Sequence, residues 1–242
     1  MNVYWSICKE EGQHKNYIPS IHYHEPEPIF KSFCEEKFNI KDKSGDFRYC
    51  PAFKEYCNNT YSLKLPMDYR LALLKDQKSI VSDMHDQTFF DNTVLIRSME
   101  DNLISLKIHY IFFAEESLEV ETFGAHFSDN EFTRKTRIIP GRFDIGKWFR
   151  PLDCAMLINK NEDTLNINNG DAFSYIKFLT NEEVKLRKFV MTDELASIVR
   201  QNVDYKRFTN KKFSPLSHWY DLYKRSNQKK YILNRIQNNL ME

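Results

Sequence analysis

Two histidines separated by one residue, His22 and His24 in "IHYHEPEPIF", with Glu25 and Glu27 directly after them, come nearest in type and spacing to a metal-binding set. Alternate side chains of an extended chain share a face, so both imidazoles project the same way, and imidazole with carboxylate suits Fe(II) or another divalent metal. His126, in "FGAHFSDN", is the candidate distant third ligand. The competing reading has these histidines exposed or satisfied by hydrogen bonds in the core. A second cluster, "SDMHDQTFFD", gathers Asp83, His85, Asp86 and Asp91 and offers oxygens and one nitrogen to a cation, although charged loops of this kind are usually only solvated. Cys34, Cys50 and Cys57 lack the Cys-x-x-Cys spacing of structural zinc and are expected to be buried free thiols.

The segment "IPGRFDIGKWFRP" concentrates Arg142, Lys147, Trp148, Phe149 and Arg150. Such a mixture can stack a base or clamp a phosphate, which makes Arg142, Lys147, Trp148 and Arg150 candidate ligand-binding residues. The same residue types are the enriched anchors of protein interfaces. No Gly-x-x-x-x-Gly-Lys loop, Gly-x-Ser-x-Gly elbow or kinase motif set occurs, so the common nucleotide-hydrolysing and acyl-transfer machines are disfavoured.

The 35 Lys plus Arg balance 34 Asp plus Glu across 242 residues, so overall charge gives no reason to expect nucleic acid as a partner. No run approaches the roughly 20 apolar residues of a membrane helix, and no membrane partner is expected. Five cysteines, an odd count, and an opening "MNVYWSICKEEG" without a basic or apolar leader pattern point to a reducing cytoplasm.

What must position these residues is mostly strand. From Tyr61 to Phe178 the apolar pattern has a period near two, in ten runs: "YSLKLP", "YRLALL", "SIVSD", "VLIRS", "LISLKIHYIFFAE", "LEVETFG", "RKTRIIPGRFD", "DCAMLIN", "TLNIN" and "DAFSYIKF". The predicted fold is mainly β, an antiparallel β-sandwich, jelly roll or distorted barrel. "NINNGDAFSYIKF" reads as a hairpin turning at Asn168-Asn169-Gly170, with Phe173 and Tyr175 on one face and Ala172, Ile176 and Phe178 on the other. The Pro-rich "YIPSIHYHEPEPIF" is expected to be an extended arm or edge segment.

After Glu182 the period changes. Thr192 is a candidate N-cap, and Ser214 before Pro215 is the favoured order for a helix start, so two C-terminal helices are predicted. Leu216, Trp219, Tyr220, Tyr223, Tyr231, Ile232, Ile236 and Leu240 recur three and four apart, with Lys224, Arg225, Lys229, Lys230 and Arg235 mostly between them. Trp219, Tyr223, Ile232 and Ile236 on that sticky face are candidate interface residues. The organisation is a β-rich domain over 1–190 with its N-terminal arm, and a helical extension over 191–242 packed on it.

Two resemblances bear on these residues. "GRFDIGKWFR" is similar to the Gly-x-Ile-Asp-x-x-Tyr-x-Gly signature of the trimeric dUTPase and dCTP-deaminase barrel, and "INNGDAFSYIKF" to its following Gly-Asp-x-Ile-Ala-Gln strand. That resemblance covers about 40 residues. It implies Asp144 as a water-activating catalytic base and Trp148 as the family's aromatic, while Tyr175 stands where the family has glutamine and the Gly-Ser-Thr-Gly tail is absent. More broadly, the succession "YIPS…EPEPIF…YCPAFKEYCNNTYSLKLPMDYRL…IIPGRFDIGKWFRPLDCAMLIN…GDAFSYIKF" resembles an uncharacterised protein family of tailed bacteriophages, especially those of marine bacteria. It spans most of residues 17 to 180 and implies a viral origin, with the protein in the cytoplasm of the infected host or in the virion.

Interface-type residues abound and no catalytic set is complete. The expectation is therefore a non-enzymatic β-rich binding or assembly module that associates with itself or another protein through the segment around Trp148 and the amphipathic C-terminal helix. One alternative is a β-barrel enzyme, or a degenerate relative, handling a nucleotide or small metabolite through Asp144, Arg142 and Trp148; Tyr175 is a further candidate ligand-binding residue. Another is a jelly-roll Fe(II)-dependent oxygenase using His22, His24 and His126.

Overall fold

Residues 1–8, 23–31, 49–74, 79–82, 93–208 and 215–241 are described by a computed structural model. The first strand, β1 (Asn2–Ile7), shows why the chain layers as it does: Val3 and Trp5 join one buried cluster and Tyr4, between them, joins another. Period-two alternation has given this strand two apolar faces, so it must be covered on both sides.

β1 lies inside a six-stranded sheet with β6 (Val94–Ser98), β7 (Leu103–Ala114), β9 (Thr136–Ile138), β11 (Pro151–Ile158) and β14 (Lys185–Lys188). Its path runs β14-β1-β7-β11-β9, and β6 also pairs with β7. A five-stranded sheet has the order β10-β8-β13-β3-β2, from β2 (Glu27–Pro28), β3 (Thr60–Lys64), β8 (Glu119–Gly124), β10 (Gly141–Asp144) and β13 (Ala172–Phe178). A third, of three strands, sets β12 (Thr164–Ile167) and β5 (Ser79–Val81) on either side of β4 (Tyr69–Leu74). Every pairing is antiparallel except β1 with β14. Leu106, Ile108 and Phe112 of the large sheet share one buried cluster with Leu63, Val120, Ile176 and Phe178 of the five-stranded sheet. The fold is thus the predicted mainly β, sandwich-like type, and none of the three sheets closes into a barrel.

The other face of the large sheet is covered by helices. Tyr4, Ile111 and Phe113 pack with Leu195 and Val199 of α3 (Asp193–Phe208), Tyr223 of α4 (Leu216–Arg225) and Ile232 and Ile236 of α5 (Lys229–Gln237). The second predicted helix is broken in two at Ser226–Gln228, where Asn227 has φ 53. Asparagine tolerates that left-handed conformation better than most residues, so the helical period alone conceals the break. The amphipathic tail therefore spends its apolar face on its own sheet: Ile232 and Ile236 are 0% exposed. As anchors for a second molecule they are corrected to core residues. Ile236→Val should cost about 1 kcal/mol, lowering Tm by roughly 2–4 °C. It should leave the mass from light scattering unchanged; a change in assembly state would restore the interface role.

Three further expectations are corrected. "RKTRIIPGRFD" is two strands in different sheets, β9 on β11 and β10 on β8, and the chain crosses between the layers at Ile139 and Pro140. Its first two residues, Arg134 and Lys135, end a short α2 (Glu131–Lys135), capped by Asn130, whose side chain accepts from the Thr133 N–H at 2.8 Å. The supposed hairpin at Asn168-Asn169-Gly170 is a corner: β12 pairs with β4, whereas β13 pairs with β3 and β8. Gly170, at φ +85, allows the turn, and Asn168 N–H donates to Asp171 Oδ2 at 3.0 Å. Finally, a register shift between Ala172 and Ser174 re-phases β13, so that Phe173 joins Ile176 and Phe178 in the inter-sheet core while Tyr175 packs elsewhere with Ala172.

Candidate functional site

The loop from Ile145 to Arg150 leaves β10 and re-enters the large sheet at β11, and this is the segment that the sequence singled out. Its hub is Asp144, only 3% exposed. Oδ1 accepts the backbone N–H groups of Leu118 (3.0 Å) and Gly146 (2.9 Å); Oδ2 accepts from the Ser117 hydroxyl and lies 2.9 Å from Lys147 Nζ. Burial by itself pushes its pKa up, but the bonds from Ser117, Lys147, Leu118 and Gly146 together outweigh this and hold it below the usual aspartate value. A carboxylate so fully supplied with donors, and held so acidic, is a poor proton acceptor. Its geometry is that of a loop clamp, which removes the reason for naming Asp144 as a base.

The clamp ties the loop to α4 as well. Asp144 N–H donates to the Tyr220 hydroxyl at 2.7 Å, and Lys147 Nζ lies 5.7 Å from the Tyr220 ring centre. Trp148 meets Phe143 and Tyr220 edge to face, each with centroids 6.3 Å apart, and the Arg150 guanidinium stacks 4.6 Å from its ring. Phe149 is fully buried, edge-on to Phe113 at 5.1 Å, and its carbonyl accepts from Asn202 Nδ2 of α3 at 3.0 Å. A loop with so few regular backbone bonds is thus held at both ends and from above.

Between this loop and the helices lies a cleft of about 390 Å³ whose walls include Trp148, Asn202, Trp219, Tyr223, Arg225 and Gln228. Its volume is in the roughly 300–1,000 Å³ range of small-molecule sites. Tyr223 is 8% exposed, and the buried hydroxyl of Tyr223 and the buried side-chain carbonyl of Gln228 have no hydrogen-bond partner. Burial raises the Tyr223 pKa far above that of a free phenol, so the hydroxyl keeps its proton and is a donor. On the other flank of α4 a groove of about 610 Å³ is lined by Lys147, Tyr220, Tyr223, Lys224 and Lys229. Partial burial lowers the Lys229 pKa, opposed chiefly by the charges of Asp144 and Glu115.

The sequence-predicted residues do not all meet here. Trp148, Trp219 and Tyr223 do. Lys147, Arg142 and Arg150 are committed to carboxylates, respectively Asp144, Glu121 and Asp153, so a phosphate would have to displace an existing ion pair at each. Tyr175 lies on the five-stranded sheet among Phe123, His126 and Phe127. His24 Nε2 is 2.7 Å from Asn169 Oδ1 at the corner, while His126 bonds through Nε2 to the Tyr56 hydroxyl (3.2 Å) and through Nδ1 to the Gly124 carbonyl (3.1 Å). Both histidines thus have other partners, and no group of three or more His, Cys, Asp or Glu side chains suited to a metal occurs among the described residues. His22, Cys34 and the Asp83, His85, Asp86 and Asp91 cluster lie outside the described residues. Cys8, Cys57 and Cys154 are buried and form no disulfide, the thiol of Cys154 being pushed up to about 12 by burial; Cys50, expected to be buried, is exposed at the start of α1 (Pro51–Cys57).

Sequence reasoning passed over Asn202, Arg225 and Gln228. Polar residues between apolar helix positions carry the pattern of a solvated face, and only the folding of two helices and the link after the second over one loop brings these residues to a common space. Against protein-family models, curated proteins and solved structures, the chain has no match. No helix among the described residues is long and apolar enough to cross a membrane.

Proposed function

We propose that this protein is a non-catalytic ligand-binding module: a β-sandwich platform with a helical cap, whose binding site is the cleft between Trp148 of the 145–150 loop, helices α3 and α4 and the link that follows α4. The observation that carries this reading is that two residues lining the cleft, Tyr223 and Gln228, each hold a buried polar atom, Oη and Oε1, with no hydrogen-bond partner. Each such group costs about 1–3 kcal/mol in an otherwise satisfied interior, a cost that a bound partner would remove. Binding is favoured over turnover because Asp144, the carboxylate with the best case as a base, is bonded into its own loop. Binding of a small ligand is favoured over assembly through the tail because the tail's apolar face is covered within the chain. The resemblance to phage proteins would put such a module in an infected bacterium or in a virion.

The test is a thermal-shift screen against ribonucleotides, deoxynucleotides, 2-oxoglutarate, divalent metals and a set of small metabolites. A ligand at 100 times its Kd adds about 2.7 kcal/mol, or roughly 5–10 °C for a chain of this size. Tryptophan emission then locates the site. Of the three tryptophans, Trp148 and Trp219 line the cleft and Trp5 sits in the inter-sheet core, so a cleft ligand should quench the wild type and lose the Trp148 share of that effect, with weaker binding, in Trp148→Leu. A screen with no shift, or a shift that Trp148→Leu leaves intact, would overturn the proposal.

A further inference from the structure

From the chemistry of the cleft walls we infer that its ligand is a planar heteroaromatic ring of the nucleobase type, carrying both a hydrogen-bond donor and an acceptor. This rests on the binding reading above and adds the ligand's class to it.

Two indoles, Trp148 and Trp219, line one space, and stacking on large flat side chains is how proteins hold bases without regard to a backbone. A flexible aliphatic ligand would use neither ring face well. The polar groups are also complementary in sign: the Tyr223 hydroxyl, kept protonated, needs an acceptor, and Gln228 Oε1 needs a donor. Both residues line one cleft, so once their side chains turn toward it a single rigid ring edge presenting an acceptor beside a donor answers them together, as the Watson–Crick edge of every base does. Bases read in pockets are bound through that edge and their faces at once, which is the combination present here. Arg225, which also lines the cleft and has no ion-pair partner among the described residues, adds a planar cation suited to stack on or bond such a ring.

The experiment is calorimetric titration of adenosine, guanosine, cytidine and uridine into wild type and Tyr223→Phe, with thermal melting of both proteins free of ligand. Loss of an unpartnered buried hydroxyl should raise the melting temperature of the free protein by about 2–4 °C. Loss of the donor should weaken the favoured nucleoside about tenfold. Stability and affinity moving in opposite directions is a result that a merely structural tyrosine does not give. Gln228→Met, which removes the acceptor at similar length, should repeat the pattern and serves if the first variant folds poorly. The matching 5′-monophosphates and a short single-stranded oligonucleotide separate the sources: tighter binding of the monophosphate indicates a free nucleotide, and tighter binding of the oligonucleotide indicates a base within a strand. If no nucleoside, nucleotide or oligonucleotide binds while a non-aromatic metabolite does so in a Trp148-dependent way, the ligand class is overturned and the binding module stands. If nothing of any class binds, both fall.

Discussion

Asp144→Ala should destabilise the protein by about 3–4 kcal/mol and lower Tm by roughly 10 °C, with Asp144→Asn losing about half as much. Alanine leaves the Leu118 and Gly146 N–H groups and the Ser117 hydroxyl without their acceptor in a site that is nearly closed to water, and it also strips Lys147 of its partner. Both backbone donors use Oδ1, so an asparagine carbonyl placed there keeps them, and its amide can donate to a reoriented Ser117 hydroxyl. Lys147 alone is then left unpaired, and its amine is about half exposed. If the two variants prove equally destabilised, the clamp is electrostatic and the backbone bonds count for little.

The same residue makes a signed prediction about pH. The folded carboxyl titrates below the ordinary aspartate value of 3.8, so at equilibrium the unfolded chain binds its proton first. The stability that the carboxylate contributes is therefore fully present above pH 3.8 and is lost as pH falls toward the lowered folded value. Denaturant melts of wild type and Asp144→Asn should show a gap that is constant near neutrality and narrows in this acid window. A gap that persists undiminished at pH 3 would mean that the folded carboxyl does not release its advantage there. Proton-dependent function near neutral pH is not expected from this group.

Gly146→Ala should be at least as damaging, about 4 kcal/mol, at the upper end of what single substitutions do. A Cβ built at Gly146 would stand 1.9 Å from the Glu116 carbonyl oxygen and 2.7 Å from its carbon, both main-chain atoms that cannot rotate aside. Relief requires the 145–150 loop to lift away from the turn after β7, which pulls on the Gly146 N–H bond to Asp144 and shifts Trp148 at the cleft wall. Lower thermal stability should therefore come with weaker binding of any ligand that quenches Trp148. An alanine variant within about 1 kcal/mol of wild type would show that the two turns are not pressed together.

Much of the architecture was legible from residue order. Each of the ten period-two runs between Tyr61 and Phe178 holds a strand, one of them split into two, because side-chain alternation is a local property that the hydrophobic effect reads one residue at a time. β14 escaped notice for the same reason in reverse: "KLRK" carries too much charge to look like a strand, and it is held by parallel pairing to β1, at the far end of the chain in sequence. The aromatic-basic loop was likewise conspicuous from its composition, and Trp148, Trp219 and Tyr223 were named from it and from the helical spacing of the tail.

What the sequence by itself determined was the class of fold, the place where helix replaces strand, and the side chains with something to contribute. Tertiary structure alone decided what those side chains do. Whether Ile232 and Ile236 face a partner or their own sheet depends on how a helix is laid against strands that lie more than 100 residues earlier in the chain, and their spacing is the same in both cases. Whether Asp144 is a base or a clamp depends on four donors, two of them from Ser117 and Leu118 on another turn. Whether "NINNGDAF" is a hairpin or a corner depends on which neighbours β12 and β13 find. Pattern records only the free energy of burying a face, which is local; partners, orphaned polar atoms and clefts arise from distances between remote segments, and these exist only once the chain has packed.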